Sequence, residues 1–155
     1  RMKTALYVAT VARTYRKAID DYMESEEKYR ANMEYYKREI AKCTYRQFTT
    51  GFYFGKTDSE SQIYDNNTYV KNYTYIGTVR EVTPDGCVCF EQKNKFLVGE
   101  KLEAMGFDGT NIECEVQAIY DEEGNSMDSA PHPKQKLRVK LDKELETGII
   151  LRRKE

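Results

Sequence analysis

Residue types that could support catalysis or bind a metal are few in this chain, and their spacing does not assemble a site. The four cysteines are Cys43, Cys87, Cys89 and Cys114, and none forms a CxxC pair. The single histidine, His132, stands between two prolines, as in a surface turn. A Cys/His zinc site needs closely spaced ligand pairs, so we predict reduced cysteines and no metal. Because a Ser-His-Asp order, an HExxH motif and a glycine-rich dinucleotide fingerprint are also missing, we expect no catalytic residue and no cofactor here.

Basic and aromatic side chains form three groups that could contact a polyanion. They are Arg13, Arg16 and Lys17 on the first predicted helix, Arg46, Phe52 and Tyr53 in the connector that follows, and Lys93 and Lys95 in a later loop. Arginine among aromatic rings is a pattern with which proteins hold single-stranded RNA, through phosphate contacts and base stacking. Each group also has a structural alternative. The helix cations can pair with nearby aspartates, the aromatic rings can anchor the connector, and the lysine loop can simply join two strands.

Composition limits the classes of function. The chain has 155 residues, with 25 Lys+Arg against 26 Asp+Glu and a net charge of −1, so any polyanion contact requires a local patch. No run approaches the roughly 18 apolar residues of a membrane span, and no signal peptide is evident, which favours a cytoplasmic protein without a membrane partner. Since the first residue is Arg1, we expect the chain to continue a longer protein.

Residues 1–42 predict a helical neck. Apolar residues recur with helical spacing in two stripes: Leu6, Val8, Val11 and Tyr15 in the first half, and Tyr29, Met33, Tyr36 and Ile40 in the second. Ser25 is the predicted N-cap of a second helix, with Glu26 and Glu27 in its first turn. Whether the helices form one rod or a hairpin is left open. The two stripes exceed what one helix pair buries, so we expect a partner to cover them, or the isolated chain to self-associate.

Residues 43–72 predict an aromatic and polar connector, and residues 73–155 predict short strands of period two. The fold class is therefore α+β, a helical neck followed by a small antiparallel β-barrel that is closed or nearly closed, because closure removes exposed sheet edges. The alternation places six side chains in the predicted core: Val79, Phe90, Cys114, Val116, Val139 and Leu141.

Several motifs, in order along the chain, resemble those of peptidase family U32, the collagenase-like peptidases. They are RMKTALYVATV with YRKAID in residues 1–20, RQFTTGFYFG at 46–55, YIGTV at 75–79, KNKFLVGEKLE at 93–103 and TGIILR at 147–152. Isoleucine at position 149 stands where the family often has an acid. The motifs extend from the first residue almost to the last.

This resemblance implies an upstream catalytic domain that carries the family's catalytic and iron–sulfur-binding residues, and with it a peptide or RNA substrate. Relatives hydroxylate transfer RNA, ribosomal RNA or quinone precursors, and the barrel is similar to the second domain of translation elongation factors. The first hypothesis is a non-catalytic accessory domain that acts as a lid or positions substrate. The alternative is a self-standing RNA-binding or translation-factor-like adaptor, and an autonomous protease has the least support.

Overall fold

A computed structural model describes residues 3–43, 51–57 and 71–155, so Arg46 lies outside the described residues. The helices are α1 (Ala5–Glu24), α2 (Glu26–Ala31) and α3 (Met33–Ile40). The strands are β1 (Tyr73–Thr78), β2 (Glu81–Val82), β3 (Val88–Glu91), β4 (Phe96–Leu97), β5 (Lys101–Met105), β6 (Asn111–Tyr120), β7 (Ser126–Met127), β8 (Ser129–Ala130), β9 (Lys136–Leu141) and β10 (Ile150–Lys154). No helix in these ranges is both long and apolar enough to cross a bilayer.

The helices form a hairpin that turns at Ser25. The Ser25 backbone is extended, its N–H donates to the Asp21 carbonyl, and its hydroxyl accepts from the Lys28 N–H. One residue therefore ends α1 and caps α2, as predicted, with Glu26 and Glu27 in the first turn of the new helix. α2 and α3 then run back along α1.

The strands form one antiparallel sheet with the order β1-β10-β5-β6-β9-β3-β2, with β7 paired to β6, while β4 and β8 make a separate two-stranded ladder. The hydrogen-bonded order within residues 71–155 ends at β1 and β2, so the sheet is not closed into a barrel and the closed form of the predicted barrel is wrong. β2 has only two residues, and both pair with β3. Single bonds approach closure instead, such as the one from the Lys93 N–H to the Ile76 carbonyl, at 2.8 Å. The likeness to the elongation-factor domain stays a prediction.

The sheet curves around a core that contains all six predicted side chains, and their burial confirms the predicted strand faces. The core also explains two of the sequence motifs. A Cβ on Gly77 would lie 2.3 Å from a ring carbon of Phe90, so only glycine fits there. β1 bulges between Tyr75 and Gly77, and the Asn94 side chain donates to the Tyr75 carbonyl at 2.7 Å, which ties the lysine loop to the bulge.

The cysteines are free thiols, and three of them, Cys43, Cys87 and Cys114, are buried. Burial raises the pKa of Cys114 to about 12. Among the described residues, no group of three His, Cys, Asp or Glu side chains is close enough to hold a metal ion.

Candidate nucleic-acid interface

Arg13 lies inside the boundary between the hairpin and the sheet. Its guanidinium donates to the carbonyls of Gly106 and Thr110 at 3.1 and 3.0 Å. It also donates to Glu39 at 2.7 Å and to Asn111 at 2.8 Å, and its side chain is only 9% exposed. Burial lowers the pKa of Arg13 despite the nearby Glu39 carboxylate. This arginine therefore joins two parts of the fold, and its donors are turned away from the surface.

The other two helix cations form ion pairs one helical turn along α1. Arg16 pairs with Asp20 on the exposed face, through an Nε–Oδ2 distance of 3.1 Å. Lys17 donates to Asp21 at 2.9 Å, and its aliphatic stem lies against Gly109. Of these two cations, Arg16 is the more accessible to a ligand, because its side chain is 61% exposed and that of Lys17 is 28% exposed.

The connector residues Phe52 and Tyr53 are exposed at 78% and 84%, and they lie in the short described segment 51–57. Phe54 packs edge-on against Tyr53, with ring centroids 5.0 Å apart. Two adjacent exposed rings suit base stacking. Among the described residues, however, no hydrogen bond or ion pair joins segment 51–57 to the other predicted contact residues.

Lys93 lines a groove of about 430 Å³ together with two cations that were not among the predicted contacts, Arg80 and Lys136. Arg80 follows β1, and its backbone N–H donates to the Cys89 carbonyl of β3 at 2.8 Å. Lys136 opens β9 opposite Glu91 of β3. The fold thus assembles three cations from three separate segments. Lys95, two residues after Lys93, is exposed, and its carbonyl accepts from Arg153 at 3.0 Å.

Apolar and acidic side chains complete the groove. Tyr75, Phe90 and Leu137 contribute ring and methyl surface, and Glu81 and Glu91 bring two carboxylates. Lys93 pairs with Glu91 and thereby lowers the pKa of Glu91. Lys136 pairs with Glu122 at 3.3 Å. Arg80 is exposed and forms no ion pair within the described part of the chain, although its charge also helps to lower the pKa of Glu91.

The groove lies beside a basic row on β9. Lys136, Arg138 and Lys140 share the outer face of this strand, while Leu137, Val139 and Leu141 point into the core. The Arg138 guanidinium lies over the Tyr120 ring, 4.9 Å from its centroid, in a cation–π contact. The alternation of cations with core residues was visible in the sequence and would have located this row. Arg80 had no such signal, because its neighbours in the groove come from distant segments.

A second cluster, the buried ion network, holds the hairpin on the sheet. Its members are Arg13, Glu39, Lys42, Glu103, Asn111 and Arg152. The Arg152 side chain is fully buried, and it donates to Glu103 at 2.7 Å and to Glu39 at 3.0 Å. Burial would raise the pKa of Glu39, but hydrogen bonds from Lys42 and Arg152 outweigh it and lower the pKa. The network positions the sheet relative to the helices.

Two family models match the chain in tandem. The Peptidase family U32 model matches residues 1–63, and the Peptidase family U32 C-terminal domain model matches residues 71–152. The chain therefore belongs to peptidase family U32, as the motifs predicted.

Proteins similar to this chain include two curated relatives and one solved structure. The tRNA hydroxylation protein P1 of Bacillus subtilis is 34% identical over 99% of the chain and 36% of its own length. The tRNA hydroxylation protein P of Escherichia coli is 28% identical over 97% of the chain and 32% of its own length. The chain thus spans about a third of the length of these relatives. A crystal structure of the C-terminal domain of a Geobacillus thermoleovorans U32 peptidase is 30% identical, covers 52% of the chain and 99% of its own, and has a TM-score of 0.47.

Proposed function

We propose that this chain is the non-catalytic C-terminal part of a cytoplasmic tRNA hydroxylation protein of family U32, and that its groove around Arg80 helps to hold tRNA. The observation that carries the proposal is the 34% identity to a tRNA hydroxylation protein over 99% of the chain. The reaction itself, with any iron–sulfur cluster, belongs to an upstream region, as the resemblance implies.

The geometry supports a binding role. The most buried carboxylates, Asp21 and Glu39, are saturated by hydrogen bonds within the hairpin and the ion network. Exposed basic groups instead lie beside aromatic and apolar surface in the groove, and further, half-buried basic groups follow along the outer face of β9. Phosphate oxygens suit the Arg80 guanidinium, and the half-buried Tyr75 ring offers a face for a base.

The charge of the groove sets the expected affinity. Three cations against two carboxylates leave a small positive excess, and the whole chain has a net charge of −1. Binding should therefore be weak on its own and sensitive to salt, because each phosphate contact releases counterions. Such a domain adds to the RNA affinity of a larger enzyme and does not supply all of it. The same surface is also compatible with a lid that closes over bound RNA.

The test is tRNA binding by the 155-residue chain, followed by fluorescence anisotropy from low to moderate salt. The triple variant Arg80→Ala, Lys93→Ala and Lys136→Ala should bind more weakly and lower the slope of log affinity against log salt by about 2 to 3, at roughly 0.7–0.9 per contact. A matched control removes three exposed, ion-paired cations outside the groove: Arg30→Ala, Lys37→Ala and Lys101→Ala.

Equal losses in the two triple variants would mean that only overall charge matters and would refute the groove. Absent or salt-independent binding by the unaltered chain would refute the RNA-holding role. A gelatin-cleavage assay covers the remaining alternative, since proteolysis by this chain would show a catalytic site of its own.

A further inference from the structure

One side of α1 presents large apolar side chains to solvent. They are Val8, Tyr15, Ile19, Tyr22 and Met23, and their exposed fractions run from 50% to 78%. Their spacings of seven, four, three and one residues place them along one broad helix face. A row of this size exceeds the scattered single apolar residues that are normal on a protein surface.

The row continues into an apolar groove between α1 and the returning helices. Two adjoining cavities of about 190 and 340 Å³ share Tyr15, Ala18 and Tyr29 in their walls. The Tyr29 ring packs edge-on against Tyr22 and is stacked on Tyr36, with centroid distances of 5.6 and 5.7 Å. The exposed row and this groove together form the docking face.

The rest of α1 is already covered by the chain itself. Leu6 packs against Met105 and Ile150 of the sheet. Thr10, Thr14 and Asp21 of α1 are buried, and so is Tyr36 of α3, which packs inside the hairpin. The sequence predicted two apolar stripes on the neck for a partner to cover, and the structure divides their residues between the interior and the docking face.

The family models indicate what covers the docking face. The hairpin falls within residues 1–63, which match the main U32 model, whereas the sheet matches the separate C-terminal model. About two thirds of the Bacillus subtilis relative lies outside its match to this chain. We propose that the docking face packs against the upstream region of a U32 protein, through an apolar surface of that region. This rests on the proposed function only in placing the chain within a longer U32 protein.

Docking at this face would also orient the sheet. In the buried ion network, Arg13 of α1 donates to Asn111 of the sheet, and Glu39 of α3 accepts from Arg152 of the sheet. The hairpin and the sheet are therefore held together by buried, directional bonds. An upstream region that fixes the hairpin fixes the Arg80 groove with it.

The experiment compares hydroxyl-radical footprints of the 155-residue chain and of the whole U32 protein that contains it. Oxidation of Met23 and Tyr22 should fall by about tenfold in the whole protein, because the core of an interface excludes water. Leu97 of β4, 41% exposed and remote in sequence, is the internal control and should change little. The variant Ile19→Glu in the whole protein should restore oxidation of Met23, while leaving the thermal midpoint of the 155-residue chain unchanged.

Equal oxidation of Met23 in the two proteins would overturn the proposal. Protection that appears in the 155-residue chain alone as its concentration rises would make a second copy the occupant, and would also overturn it. The proposal would also be overturned if the gene that encodes this chain had no upstream U32 region. The footprint contains no RNA, so it is independent of the tRNA-binding result.

Discussion

Replacing Glu39 by glutamine should test the buried ion network most directly. The Glu39 carboxylate accepts from Lys42 at 2.6 Å, Arg13 at 2.7 Å, Asn111 at 2.8 Å and Arg152 at 3.0 Å. Glutamine has nearly the same shape but one acceptor oxygen, and its amide group would face cations. At least two charge-assisted bonds would be lost, each worth about 1.5–3 kcal/mol. We therefore expect Glu39→Gln to lower the free energy of unfolding by about 3–5 kcal/mol, in the range for breaking a buried ion pair.

The assay is urea unfolding at neutral pH, followed by circular dichroism. Glu34→Gln is a matched control on the same helix, because Glu34 pairs with Lys37 at the surface, with a side chain 76% exposed. This control should leave the free energy of unfolding unchanged within error. If Glu39→Gln costs less than about 1 kcal/mol, the value typical of an exposed pair, the network does not hold the hairpin on the sheet.

The same variant predicts a pH dependence. Since the pKa of Glu39 is lowered in the folded chain, its carboxylate adds stability above the ordinary glutamate pKa. That contribution is lost as the pH falls through the lowered value. The difference between the unaltered chain and Glu39→Gln should therefore be greatest near pH 7 and should shrink below about pH 4. A difference that stays constant across this range would argue against a carboxylate contribution.

Two further substitutions test the hairpin and the sheet. Asp21→Asn should lower the free energy of unfolding by about 2 kcal/mol, because Asp21 is buried and accepts from Tyr36, Lys17 and Asn32. The control Asp20→Asn changes an exposed neighbour and should leave this free energy unchanged. Equal effects of the two variants would contradict the role of Asp21. Gly77→Ala should lower the free energy of unfolding by about 1–3 kcal/mol in the same urea assay, because the added Cβ would overlap Phe90. The double variant Gly77→Ala, Phe90→Leu should recover part of this stability. An unchanged free energy of unfolding for Gly77→Ala would contradict the close packing.

The local structure was largely predictable from sequence because it follows short-range rules. Alternation identified the core positions of the strands, and the Ser25 cap with its two glutamates located the second helix. Closure of the barrel was not predictable by the same means. It depends on whether the edge strands β1 and β2 meet, and β2 proved to be only two residues long.

The candidate site was harder to predict because pairing across the fold decides what a charged side chain does. Arg13 and Arg16 look alike in the sequence, three residues apart on one helix, yet Arg13 is nearly buried and Arg16 is exposed. Arg152 offered no sign that it would be fully buried, since its partners Glu39 and Glu103 are far away in the chain. Arg80 joined the groove for the same reason.

The docking face and the Arg80 groove differ in chemistry, and so do the partners proposed for them. The docking face is apolar and belongs to the hairpin, the part that matches the main U32 model. The Arg80 groove is polar and belongs to the sheet, the part that matches the C-terminal model. An apolar surface suits a permanent contact within one protein, whereas a groove with a small cationic excess suits a substrate that must leave again. Because the buried ion network joins the two parts, weakening it through Glu39 should reduce tRNA binding by the whole protein more than tRNA binding by the 155-residue chain, in which orientation toward an upstream region has no effect.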